Sequence, residues 1–135
     1  MKFFTDRDLG KLFPKLLTES GIKDIRHSDY FKDNASDQEW ISMAGKKGWF
    51  CLSHNKKIRY ISTQKEAVKR SRVGLFLLVG HTDNRELAKN FINTIYKVKR
   101  FIKKNKRPFI AKIYRSSKMH ENPNIKRSGD VKLWV

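Results

Sequence analysis

The residues of this sequence best suited to chemistry are carboxylates that stand where a strand or a helix begins or ends. Asp6 follows a short strand pattern, Lys2 to Thr5. Asp37 and Glu39 open a helical pattern behind Ser36, and Ser53, His54 and Asn55 close an apolar run, Trp49 to Leu52. Hard divalent cations take oxygen ligands, and Mg²⁺ is commonly held by one or two carboxylates with water and phosphate oxygens completing its shell. Asp6 and Asp37 supply enough carboxylate for one such ion. Asn55 adds a neutral carbonyl oxygen, or an amide that orients water or phosphate. An ion of this kind activates a water and stabilises charge during phosphodiester hydrolysis. Asp8 reads foremost as a helix-start acid favoured by the dipole, and His27 as surface or core filler.

Other chemistries lack their signatures. Gly74 and Gly80 bracket a strand without the spacing of a dinucleotide or P-loop turn. The chain has no CxxC, HExxH or GxSxG motif. These absences remove the dinucleotide, NTP, zinc-protease and α/β-hydrolase readings.

The elements that must position the acids follow from periodicity and punctuation. Ser36 and Glu39 have the spacing of a capping box. Behind them Trp40, Ile41 and Ala44 recur on one helical face, and Gly45 and Gly48 are expected to end that helix. Trp49 to Leu52 is apolar on both faces, as a central strand covered on two sides requires. In open parallel sheets, sites form beyond the carboxyl ends of the strands, so both polar ends of this stretch can reach one crevice. Upstream, Leu12 to Gly21 is the first helix, because Pro14 opposes one running unbroken from Leu9. Ile22 to His27 is a strand and Ser28 to Ala35 a polar loop. Downstream, Thr63 and Glu66 have box spacing before a helix from Gln64 to Arg72, and Val73 to Val79 is a buried strand. Asp83 and Glu86 open the longest helix, with Leu87, Phe91, Ile95, Val98 and Ile102 along one face. Phe109 to Tyr114 is the last strand of the series. Val131 to Val135 is either an edge strand paired with it or a segment docked on a partner. The alternation indicates an α/β fold, a three-layer sandwich with a mainly parallel five-stranded sheet. The domain spans residues 1–115, with a tail at 116–135.

Composition names the partner class. Thirty-one Lys and Arg against 13 Asp and Glu give a net charge of +18 over 135 residues, which makes a polyanion the first expectation. Eight of the acids fall in the first 39 residues, whereas Lys97 to Arg107 holds seven bases and no acid. Lys46, Lys47, Lys56, Lys57 and Arg59 flank the acids in sequence and are the candidate phosphate contacts. The single Cys51 excludes a disulfide framework and points to a reducing cytoplasm. No run is long enough to span a bilayer, and no signal-peptide pattern opens the chain.

Asp6 after the first strand, Asp37 opening a helix with Ile41 and Ala44 behind it, and a strand closing on Leu52-Ser53-His54-Asn55 together resemble the PIN-domain nucleases. Within that group the chain is similar to the small PIN-like toxins of VapC type found in toxin–antitoxin pairs, over about residues 2 to 115. The resemblance implies a metal-dependent endoribonuclease using Mg²⁺ or Mn²⁺, with Asp6 and Asp37 as metal ligands and Asn55 at the strand-end ligand position. Glu39 stands in for the Glu that the family carries on an intervening helix. It further implies a cognate antitoxin protein as partner, and a homodimer. Two other readings follow from the residues: a catalytically inactive PIN-like RNA-binding module, and a structural protein that binds an acidic partner through its long basic helix.

Overall fold

A computed structural model describes residues 1–54, 61–115 and 128–134, of which residues 61–64 are described by backbone alone. Six strands and four helices alternate along the chain. In order they are β1 (Phe3–Thr5), α1 (Leu12–Glu19), β2 (Asp24–Arg26), α2 (Asp37–Lys47), β3 (Phe50–His54), α3 (Ile61–Ser71), β4 (Gly74–Leu78), α4 (Asn84–Lys104), β5 (Phe109–Tyr114) and β6 (Asp130–Leu133). Two single 3₁₀ turns, Arg7–Leu9 and His27–Asp29, follow β1 and β2. The strands form one sheet in the order β2-β1-β3-β4-β5-β6. Neighbours are parallel except β5 and β6, which run antiparallel with Ile113 opposite Val131. The sixth strand is the tail of the chain, which takes the edge-strand alternative at Asp130–Leu133.

Alternation along the strands sends successive side chains to opposite faces, and two cores result. Phe3, Leu52, Phe76, Ala111 and Ile113 face α1 and α4, packing on Phe13, Leu17, Phe91 and Val98. Phe4, Cys51, Leu75, Leu77 and Ile110 face α2 and α3, packing on Trp40, Ile41, Ala44 and Val68. The Phe4 ring lies between Trp40 and Trp49, stacked at centroid distances of 5.4 and 5.9 Å. His27 is buried against Phe4 and Phe31, core filler as its lack of a metal-like partner suggests.

Local signals explain most element boundaries. Ser36 Oγ accepts from the Glu39 amide at 3.3 Å, and Asp83 Oδ1 from the Glu86 amide at 2.9 Å, so α2 and α4 start at side-chain caps. Pro14 fits α1 because it stands in the first turn, where amides have no partner within the helix. Three expectations are corrected. Gly45 does not end α2 but lies inside it; Gly48 alone, at φ 73°, is the left-handed cap. A Cβ on Gly45 would stand 2.1 Å from the Ser71 carbonyl oxygen, so this glycine lets α2 and α3 touch. The Thr63–Glu66 spacing does not start α3, which begins at Ile61. Strand β3 also runs on through Ser53 and His54, because both still pair with β4, opposite Leu77 and Leu78.

Candidate active site

Helices in a parallel sheet run against the strands, so every helix here begins near the carboxyl ends of the strands and finishes near their amino ends. In the order β2-β1-β3, the chain leaves β1 towards one side and later returns to its other side. The crevice beyond the ends of β1 and β3 is therefore the topological switch point, the usual place for a site in an open α/β sheet. Three carboxylates meet there.

Asp6 ends β1 and caps the turn that follows. Its backbone amide donates to the Leu52 carbonyl, and its Oδ1 accepts from the Arg7 amide at 2.7 Å. Its side chain lies deep, with the residue only 7 % exposed. Ser53, on β3, places its hydroxyl oxygen 3.1 Å from Asp6 Oδ2 and 3.3 Å from Asp8 Oδ2. Asp8 Oδ2 also accepts from the His54 amide at 3.1 Å. The hydroxyl has one proton and so can donate to only one of the two carboxylates at a time. Asp37, at the start of α2, is held by the Trp40 indole, whose Nε1 donates to Oδ1 at 3.0 Å. His54 Nε2 lies 2.9 Å from the Gly80 carbonyl, which ties the end of β3 to the turn after β4.

The electrostatics record how closely these acids are gathered. Burial first, and then the negative charges of Asp8 and Asp37, together raise the Asp6 carboxyl from 3.8 to about 7. The Arg7 amide and the Ser53 hydroxyl oppose them. Three carboxylates in one crevice, one of them driven towards its protonated form, make a cluster that a cation would relieve. The donor set fits a hard divalent ion, since Mg²⁺ needs only one or two carboxylates when water and phosphate complete its shell. Among the described residues, no three His, Cys, Asp or Glu side chains already stand in ligating geometry.

Sequence and structure agree that Asp6 and Asp37 stand at one crevice. Glu39 is exposed in the first turn of α2, two positions after Asp37, and the carboxylates that act on Asp6 are Asp8 and Asp37 instead. Lys46 and Lys47 lie in the last turn of α2. They are about 14 Å along the helix from Asp37, at the opposite end of the sheet, so adjacency in sequence does not bring them to the acids. Asn55, Lys56, Lys57 and Arg59 lie outside the described residues. The sequence reading missed Asp8 as a site residue. The available signal was the Asp-x-Asp spacing with Asp6, which a 3₁₀ turn folds back towards the end of β3.

An α/β sandwich with acids gathered at its switch point is an architecture on which many kinds of site are built, so the fold alone names no activity. The family comparison narrows this: the model of a family described as PIN like domain matches residues 1–80. The chain therefore belongs to the PIN-like domain family, whose members are often metal-dependent nucleases. Neither the curated proteins nor the solved structures give a match. No helix among the described residues is long and apolar enough to cross a membrane.

Proposed function

We propose that this protein is a metal-dependent endoribonuclease, the toxin of a toxin–antitoxin pair, which cuts RNA at the carboxyl end of its sheet. The observation that carries the reading is the convergence of Asp6 and Asp8 on the single hydroxyl of Ser53, with Asp37 close enough to act on Asp6. Mg²⁺ or Mn²⁺ would be held by Asp6 with Asp8 or Asp37. When bound, such an ion supplies Lewis acidity and a water acidic enough to attack phosphorus. Trp40 fixes the Asp37 carboxylate, Ser53 donates its one proton to Asp6 or Asp8, and burial shields the Asp6 side chain from bulk water. The net charge of +18 favours a nucleic acid as substrate. A cognate antitoxin, a homodimer and a cytoplasmic location complete the proposal, with residues 1–115 carrying the acids and β6 completing their sheet.

The test is cleavage of a mixed cellular RNA pool with Mn²⁺, with EDTA, and by Asp6→Ala and Asp8→Ala proteins. Cleavage is expected in Mn²⁺ alone, with each substitution lowering it at least a hundredfold, on the order of 3 kcal/mol in the barrier. Cleavage that persists in EDTA and in both variants would refute a metal nuclease at this crevice.

A second reading, a PIN-like RNA-binding module without turnover, is favoured by one observation. Glu39, the stand-in for the Glu that the family carries on an intervening helix, is exposed and is not among the carboxylates that act on Asp6. This reading predicts salt-sensitive RNA binding with no cleavage in excess Mn²⁺, either by the natural chain or by Asn55→Asp.

A further inference from the structure

The amino ends of the strands carry a second feature, as far from the acids as the sheet allows. A cleft of about 550 Å³ opens there between the two helical layers, and Phe50, Arg72, Lys103, Lys106 and Arg107 line it together with Asn105. None of its lining residues is acidic. Lys46 and Lys47 sit exposed in the last turn of α2, at the same end.

Bases near helix C-termini have an ordinary explanation, since they complement the negative end of the dipole. That accounts for Lys103, Lys46 and Lys47. It does not account for Arg72, Lys106 and Arg107, which lie beyond the ends of α3 and α4. Arg72 is the one described residue other than glycine with a positive φ, at 58°. It occupies the position after a helix where glycine is usual, with the Val73 amide bonded back to the Val68 carbonyl. A side chain there works against its own backbone. Arg107 lies over the Phe50 ring, its guanidinium carbon 5.5 Å from the centroid, so its head is held at the cleft. Ion pairs between described residues engage Arg26, Lys89, Lys97 and Arg115, and none engages a base of the cleft.

From these observations we infer that the cleft binds the phosphodiester backbone of RNA, at a site separate from the acids. Four cations around one hollow repel one another until an anion enters, and guanidinium forks match phosphate oxygens in pairs. The hollow is larger than a single phosphate needs and lies in the size range of small-molecule sites. The overall charge selects a polyanion over a small anion. The inference rests on the nucleic-acid part of the function proposed above and is independent of cleavage. RNA held here gains affinity and register while the reacting phosphate lies elsewhere, so loss of the cleft raises KM and leaves kcat in place.

The experiment is fluorescence anisotropy of a labelled single-stranded RNA oligonucleotide with the whole protein in EDTA, across a series of KCl concentrations. The R72Q/K103Q/K106Q/R107Q protein is compared with K11Q/K15Q/K89Q/K99Q, which removes four exposed lysines from the α1 and α4 layer. The cleft variant is expected to lose roughly tenfold or more in affinity, with its salt slope reduced by about 2 to 3, as loss of three or four phosphate contacts requires. The control should stay within about threefold of the natural chain. Equal losses in the two variants would overturn the inference in favour of diffuse charge. Displacement of the RNA by polyglutamate as readily as by unlabelled RNA would overturn it in favour of an acidic protein. Arg72→Gly guards against misfolding: it removes the side chain where glycine is at ease, so the expected result is a protein at least as stable with weaker RNA binding, and unchanged binding would count against the cleft. Because binding is read in EDTA, it is a separate result from any failure of metal-dependent cleavage.

Discussion

Ser53 stands between Asp6 and Asp8, and that one hydroxyl decides how the two carboxylates share protons. Replacing it with alanine removes a hydrogen bond that favours ionised Asp6, so the acidic limb of the cleavage profile should move to higher pH. A pH–rate series on Ser53→Ala measures this, and an unmoved limb would uncouple Ser53 from Asp6. Asp6 also makes folding depend on pH. Its carboxyl is raised in the folded chain from 3.8 to about 7, chiefly by burial. The contribution to stability is fully present below 3.8 and is lost as pH rises through about 7. In EDTA, the melting temperature of Asp6→Asn relative to the natural chain should therefore climb between these two values and level off above. At about 1.4 kcal/mol per pH unit the full effect is on the order of 4 kcal/mol; a flat difference would show that Asp6 ionises freely. The sequence revealed Asp6 and Asp37 because strand and helix ends are local features. It concealed the role of Asp8, because that depends on Ser53, 45 positions away in sequence, and hence on β1 and β3 being neighbours.

Elements were legible where a cap or a period marks them. The Asp83 cap, the long stripe of α4 and the alternation of Phe109 to Tyr114 were all readable in advance, and the fold class followed from their order. What the sequence could not convey was direction in space: Lys46 is nine positions from Asp37, and the helix between them carries it to the other end of the sheet. Gly45 was misread for a related reason. Its purpose is the approach of α3, which no local pattern announces, whereas Gly48 is a cap in its own right. Gly45→Ala should cost about 1 to 3 kcal/mol by forcing the two helices apart, and Gly48→Ala about 1 to 2 kcal/mol by straining a left-handed backbone. Urea titration of both proteins checks these values, and a Gly45→Ala protein as stable as the natural chain would mean that α2 and α3 have room to spare.

At the scale of the molecule, the described acids of the crevice and the bases of the cleft lie at opposite ends of the sheet. Asp6, Asp8, Asp37, Asp83 and Glu86 stand at the carboxyl end, while the cleft bases and the last turns of α2 and α4 hold the amino end. Composition announced the excess of positive charge but not this division, which exists only once strands and helices alternate in direction. A different consequence attaches to β6. It is bound to β5 along four residues, and the Trp134 amide extends the pairing to the Ile110 carbonyl at 2.8 Å. The Lys65 and Lys112 ammonium groups lie over the indole of Trp134, at 4.7 and 4.9 Å from its centroid. The Gly129 amide and carbonyl are fastened to Thr94 and Lys97 on α4. Removal of everything after Arg115 would thus bare the backbone amides and carbonyls along one side of β5, a template on which any stray strand can add. Such a shortened protein should leave a sizing column as species larger than the natural chain forms, or precipitate on concentration, so β6 acts as a guard against further strand addition.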